Sequence, residues 1–126
     1  MEWTLEKEFR FEASHVLPRH GGKCARLHGH SWRGRLVCRG TALQSTGPSV
    51  GMVLDYGELS AAIRPLLDQF LDHYHLNDSL QLENPTSEEV ARWIFDRVKP
   101  VVPQLTQVVL DETCTSRCVY AESGKF

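Results

Sequence analysis

Nowhere in the 126 residues is there an apolar run approaching the roughly 18 that a membrane helix needs. An excess of basic charge is missing too: 14 Lys and Arg stand against 16 Asp and Glu, a net charge of −2 with neutral histidines. That is not the composition of a general nucleic-acid binder. Met1-Glu2-Trp3-Thr4-Leu5-Glu6 lacks the basic and apolar regions of a secretory signal, so a cytoplasmic location is expected. Internal repeats, charge blocks and low-complexity segments are absent, and the one loop-like stretch of note is Thr41 to Gly51. Cysteine is limited to Cys24, Cys38, Cys114 and Cys118. Without a secretory signal these read as free thiols, metal ligands or catalytic groups before disulfides. The length leaves room for one domain, expected over residues 1–126, with enough apolar residues to fold without staples.

What is present is periodicity. From Trp3 to Ala13 the odd positions are apolar except Lys7, and the even positions are polar or charged. A period of two marks a strand with one buried face, and His15 falls next on that face. A second strand puts His28, His30, Trp32, Gly34, Leu36 and Cys38 on one side and mostly polar residues, among them Arg33, Arg35 and Arg39, on the other. A short strand is expected at Gly51-Met52-Val53-Leu54. Asp55 with Glu58 three residues on matches a helix N-cap with its capping box. Leu59, Ile63, Leu66, Leu67, Phe70 and Leu71 follow at helical spacing, with a kink expected at Pro65. Thr86 as cap, with Glu89 reaching back, starts a second helix whose stripe is Val90, Trp93, Ile94 and Val98 and which Pro100 and Pro103 end. Leu105 to Glu112 and Cys118 to Glu122 read as two further strands joined by Thr115-Ser116-Arg117. The order predicts an α+β fold in which two helices cover one face of an antiparallel sheet.

Same-face residues of a strand lie about 7 Å apart, so His28 and His30 can meet one metal ion. His15 can supply a third imidazole and leave the open position that a catalytic zinc keeps. Satisfied core or surface histidines are the plain alternative, against which a His-x-His pair with an inward third favours the metal. Cys24, four residues before His28, is a thiol beside a prospective cation. That suits a base or nucleophile, and also a fourth ligand closing a structural site. Cys38, Cys114 and Cys118 read as packing residues, and His20 as a solvated loop residue. Arg19, Lys23 and Arg26 could meet a phosphorylated substrate or simply be solvated. Asp72-His73 has the pairing a proton relay needs. Glu112 continues the face of Val108 and Leu110, where a carboxylate is costly unless a partner brings N–H donors.

Seven separated runs, in order, then carry a resemblance: Phe11-Glu12-Ala13-Ser14-His15, Cys24-Ala25-Arg26-Leu27-His28-Gly29-His30, Gly51-Met52-Val53-Leu54-Asp55-Tyr56, Leu71-Asp72-His73, Leu76-Asn77, Glu83-Asn84-Pro85-Thr86-Ser87-Glu88 and Glu112-Thr113-Cys114-Thr115. Over essentially the whole chain the sequence resembles the 6-pyruvoyltetrahydropterin synthase and 6-carboxytetrahydropterin synthase family. The resemblance implies one zinc ion (Zn2+) on His15, His28 and His30, Cys24 as catalytic base, Asp72 and His73 as its relay, and Glu112 as the grip on a pterin ring. It also implies a tunnelling fold (T-fold) whose barrel closes only on oligomerisation, as a homohexamer built from two trimers with active sites between subunits.

Three residues separate Cys24 from His28, which resembles the carboxy-forming branch; the pyruvoyl-forming branch usually has a longer spacer. The activity so implied is a lyase reaction on 7,8-dihydroneopterin triphosphate. Its products are 6-carboxy-5,6,7,8-tetrahydropterin, acetaldehyde and triphosphate, in queuosine (7-deazapurine) biosynthesis. The pyruvoyl-forming reaction is the alternative, and a zinc-stabilised pterin-binding protein without activity a second. A metal dioxygenase that uses His-x-His expects a Glu four or five residues after the second His, where Gly34 and Arg35 stand. Tyr74-His75 departs from the bacterial pattern and leaves His75 without a role.

Overall fold

Alternating apolar residues build one five-stranded sheet in this computed structural model, which describes residues 1–126. The strands are β1 (Trp3–His15), β2 (His28–Gly40), β3 (Tyr74–His75), β4 (Leu105–Thr113) and β5 (Ser116–Ala121), in the spatial order β3-β1-β2-β4-β5. The helices are α1 (Tyr56–Leu66), α2 (Leu76–Ser79) and α3 (Ser87–Val98). Phe9, Phe11, Trp32, Leu36, Val108 and Leu110 of the sheet form one core with Leu59 and Ile63 of α1 and Val90, Ile94 and Val98 of α3. This is the α+β arrangement the periodicity predicts, with the sheet open at β3 and β5. Phe9 owes its place to Gly34, since a Cβ there would lie 2.2 Å from the Phe9 ring.

The sheet is mixed, because β3 runs parallel to β1 at Ala13 and Ser14 while the other pairings are antiparallel. Two residues carry no period, so this strand left no signal in the pattern. Gly51 to Leu54 forms no strand. Gly51, at φ 82°, closes a local loop in which Gln44 exchanges backbone hydrogen bonds with Gly51 and Met52, and Val53 and Leu54 drop into the core. Their apolar character reflects burial of a loop.

Asp55 caps α1 through the N–H of Gly57 at 2.7 Å, and Glu58 accepts from the N–H of Asp55 at 3.2 Å, completing the capping box. The helix runs through Pro65 and then widens into a π turn over Leu67–Leu71, which ends as the Asp72 N–H donates to the Leu67 carbonyl at 2.8 Å. Thr86 caps α3, but the Glu89 side chain pairs with Arg92 instead of reaching back. β5 starts at Ser116, so the hairpin turn is Cys114-Thr115 and Cys114 is exposed at its tip, not packed. All four cysteines are free, and burial pushes the Cys38 thiol up to about 11. No helix is long and apolar enough to cross a membrane.

Candidate metal centre and active site

β1 and β2 end together, with His15 opposite His28 and Ala13 opposite His30. Both strands keep their alternation to that end, so all three imidazoles project from the helix-covered face. Ring centroids are 4.5 Å apart for His15 and His28, 5.1 Å for His15 and His30, and 5.0 Å for His28 and His30. One nitrogen from each lies within 4.8 Å of the other two. The Trp32 ring packs edge-on against His15 and His30, and its indole N–H donates to the Ala13 carbonyl at 3.2 Å.

The ring nitrogens are assigned by their partners. His15 Nδ1 lies 2.8 Å from the Pro85 carbonyl and His28 Nδ1 lies 2.7 Å from the Arg26 carbonyl. A carbonyl only accepts, so each Nδ1 carries the proton and each Nε2 presents a lone pair. The Nε2 atoms of His15 and His30 are buried without a hydrogen-bond partner. Burial first, with the neighbouring imidazoles, pulls the pKa of both rings below the ordinary histidine value. Three convergent imidazoles, two of them with orphaned Nε2 atoms and two, His15 and His28, oriented through Nδ1 by a main-chain carbonyl, fit a divalent metal of the zinc kind.

Glu112 faces this cluster. The β4–β5 register shifts between Asp111 and Thr113, making Glu112 the extra residue of a bulge, a device that re-aims a side chain. Its carboxylate oxygens stand 3.7 Å from His30 Nε2 and 3.9 Å from His15 Nε2. Cys24, half-buried in a single 3-10 turn (Lys23–Ala25), is not among the three converging ligand atoms.

Asp72 and His73 lie just before β3, along the edge of β1 away from β2. Asp72 accepts the Glu12 N–H at 2.9 Å, and His73 donates its own N–H to the Glu12 carbonyl. The Asp72 carboxylate lies 3.1 Å from His73 Nδ1. The Glu12 N–H bond, ahead of the His73 contact, holds the Asp72 carboxyl below its ordinary value. His73 sits at φ 65°, a left-handed conformation uncommon for a side-chain-bearing residue. Here its N–H bond to Glu12 and the Asp72 carboxylate hold it, and the ring is 78% exposed. Beside it His75 Nδ1 and Ser14 Oγ are 3.0 Å apart, in a 660 Å3 cavity also lined by Glu12, His30 and Ser31. Arg19 pairs with Glu83 at 2.8 Å, whereas Lys23 and Arg26 are exposed and His20 accepts the Gly22 N–H. The carbonyls of Pro85 and Arg26 escaped the sequence reading, because a main-chain acceptor has no residue-type signature.

An α+β sheet, open at both edges, with a three-histidine cluster fit for a metal at the ends of its two longest strands, is the architecture of a T-fold. A sequence model of the 6-pyruvoyl tetrahydropterin synthase family matches residues 4–123, and the chain belongs to that family. The chain is 53% identical over 119 residues to a Synechocystis protein named 6-carboxy-5,6,7,8-tetrahydropterin synthase, covering 94% of this chain and 92% of the relative. A Haemophilus influenzae protein of the same name is 32% identical over 141 residues, with 95% and 99% covered. Among solved structures, the 6-pyruvoyl tetrahydropterin synthase of Caenorhabditis elegans superposes with a TM-score of 0.82 at 27% identity, covering 97% of this chain and 96% of that one.

Proposed function

We propose that the chain is a zinc-dependent lyase converting 7,8-dihydroneopterin triphosphate into 6-carboxy-5,6,7,8-tetrahydropterin, acetaldehyde and triphosphate, in the biosynthesis of queuosine and related 7-deazapurines. The observation that carries this reading is the 53% identity, over nearly the full length of both chains, to a protein named for that product. The short spacer between Cys24 and His28 supports the same branch.

In this reading residues 1–126 act as one domain, and His15, His28 and His30 hold the metal. When bound, the ion supplies Lewis-acid polarisation of substrate oxygens. The Cys24 thiolate takes a carbon-bound proton. The Asp72 carboxylate, kept ionised by the Glu12 N–H, orients His73 through Nδ1 and leaves the exposed Nε2 to give or receive a proton. Glu112, aimed at the cluster by its bulge, accepts paired N–H bonds from the pterin edge and fixes the reacting side chain. The open sheet edges and the exposed His73 ring suit a homohexamer of two trimers with sites between subunits. A cytoplasmic location goes with a multiply charged substrate that does not cross bilayers.

Product analysis by mass tests the reading. Zinc-loaded protein given dihydroneopterin triphosphate should release acetaldehyde and a carboxy-pterin. A retained three-carbon pyruvoyl side chain would establish the other branch, and pterin binding without turnover a binding protein. Cys24→Ala should keep its zinc and lose at least about a hundredfold in turnover, the low end for loss of a general base.

A further inference from the structure

His15 is the last residue of β1, where the ladder to β2 stops. A ligand at a strand end is free to fray, yet metal bonds tolerate displacements of only about 0.2 Å. One side chain holds that end. Asn77 Oδ1 accepts the N–H of Val16, the residue after His15, at 2.9 Å, and Asn77 Nδ2 donates to the Val16 carbonyl at 2.8 Å. The same Nδ2 donates to the Glu83 carbonyl at 3.2 Å, two residues before Pro85, whose carbonyl holds His15 Nδ1. Asn77 thus ties together the chain that carries His15 and the chain that orients its ring.

From this we infer that Asn77 is a positioning residue for the metal ligand His15, an inference that rests on the metal reading above. Its amide presents one acceptor and two donors on a short stem, and each is used. Aspartate of the same shape would keep the Val16 N–H bond but set a carboxylate oxygen against two carbonyls. The anchor is itself fixed: Leu76 is fully buried on one side, Leu80 is buried on the other, and Gln81 at φ 54° ends α2. Asn77 also completes a strap from Asp72 to Asn77 that grips β1 at Glu12 and Ser14 and the chain just beyond it at Val16, so the metal ligand and the proposed relay share one support.

The test is zinc affinity by chelator competition, with Co2+ absorption spectra, on the parent chain, Asn77→Ala, Asn77→Asp and the control Ser79→Ala. Ser79 lies on the same short helix, and its hydroxyl donates to the Phe70 carbonyl at 2.6 Å, away from His15. Both Asn77 variants should bind zinc about 10- to 100-fold more weakly, as for other outer partners of metal ligands, and shift the Co2+ ligand-field bands. Ser79→Ala should keep the parental affinity and spectrum. Parental affinity and spectrum in both Asn77 variants, or loss of near-ultraviolet circular dichroism in both before any metal is added, would overturn the inference. A parent chain that binds no metal in the same assay would overturn the metal reading itself.

Discussion

The two faces of the sheet are built from the same strands and hold together by different physics. The covered face carries Phe9, Phe11, Trp32, Leu36, Val108 and Leu110, all buried against the helices. The open face carries Glu6, Glu8 and Arg10 on β1, Arg33 and Arg35 on β2, Asp111 on β4 and Arg117 on β5, interleaved by sign. Arg10 and Arg33 stand opposite each other, a repulsive placement, and Glu8 pairs with both at 3.4 and 3.6 Å. Asp111 accepts from Arg117 at 2.7 Å and Arg33 at 3.0 Å. The covered face gains energy from area removed from water, the open face from ion pairs in which the arginines stay half-exposed while Asp111 is buried between them. Among the four buried side-chain atoms without a hydrogen-bond partner, two, the Nε2 atoms of His15 and His30, meet at one point on the covered side. A buried orphan calls for an explanation, and a bound metal provides one.

Trp32→Ala should have the largest effect, because it empties the centre of the covered face and removes the edge-on support of His15 and His30. A loss of about 3 to 5 kcal/mol by denaturant unfolding is expected, together with weakened binding of the metal proposed at the three histidines. A loss below about 1 kcal/mol would break the claim that this face carries the stability. Gly34→Ala adds one methyl against the Phe9 ring and should cost about 1 to 3 kcal/mol while leaving zinc content intact, checked by unfolding and metal analysis.

On the open face the Arg117 hydrogen bond, then desolvation opposing it and Arg33 reinforcing it, holds the Asp111 carboxyl below its ordinary value. A folded-state pKa below the unfolded one gives stability that is complete above about pH 5 and lost as pH falls below about 4. Asp111→Asn should flatten that acid limb and cost about 1 to 2 kcal/mol at neutral pH, measured as unfolding midpoints across pH. Arg35→Ala, which removes a 3.8 Å pair with Glu6, should change stability by about 0.5 kcal/mol or less; a larger loss would mean that the open face contributes more than its exposure suggests.

Periodicity made the long elements legible. Thirteen-residue β1 and β2, and the stripe of α3, showed their faces because each repeat is reinforced by burial of the same side. The capping box at Asp55 and Glu58 was legible for another reason: its donors and acceptors lie within three residues. Gly51 to Leu54 misled because a buried loop and a buried strand share composition. β3, α2 and the π turn after Pro65 were silent, being too short for a repeat or dependent on what lies across from them. Among the site residues, His15, His28 and His30 could be placed on one face from strand phase alone, whereas the role of Asn77 is invisible without Val16 and Glu83 beside it.

By itself, then, the sequence determined which side of each long strand is apolar, where α1 and α3 begin, and that three imidazoles share the buried side, since these follow from alternation and local hydrogen bonding along the chain. Only the tertiary structure decided that one nitrogen of each imidazole stands within 4.8 Å of the other two, that the His15 Nδ1 proton is drawn to the Pro85 carbonyl, and that the Glu112 carboxylate stands 3.7 and 3.9 Å from two of the rings. Each of these depends on backbone groups distant in sequence or on register between strands, and none is written in the identity of any single residue.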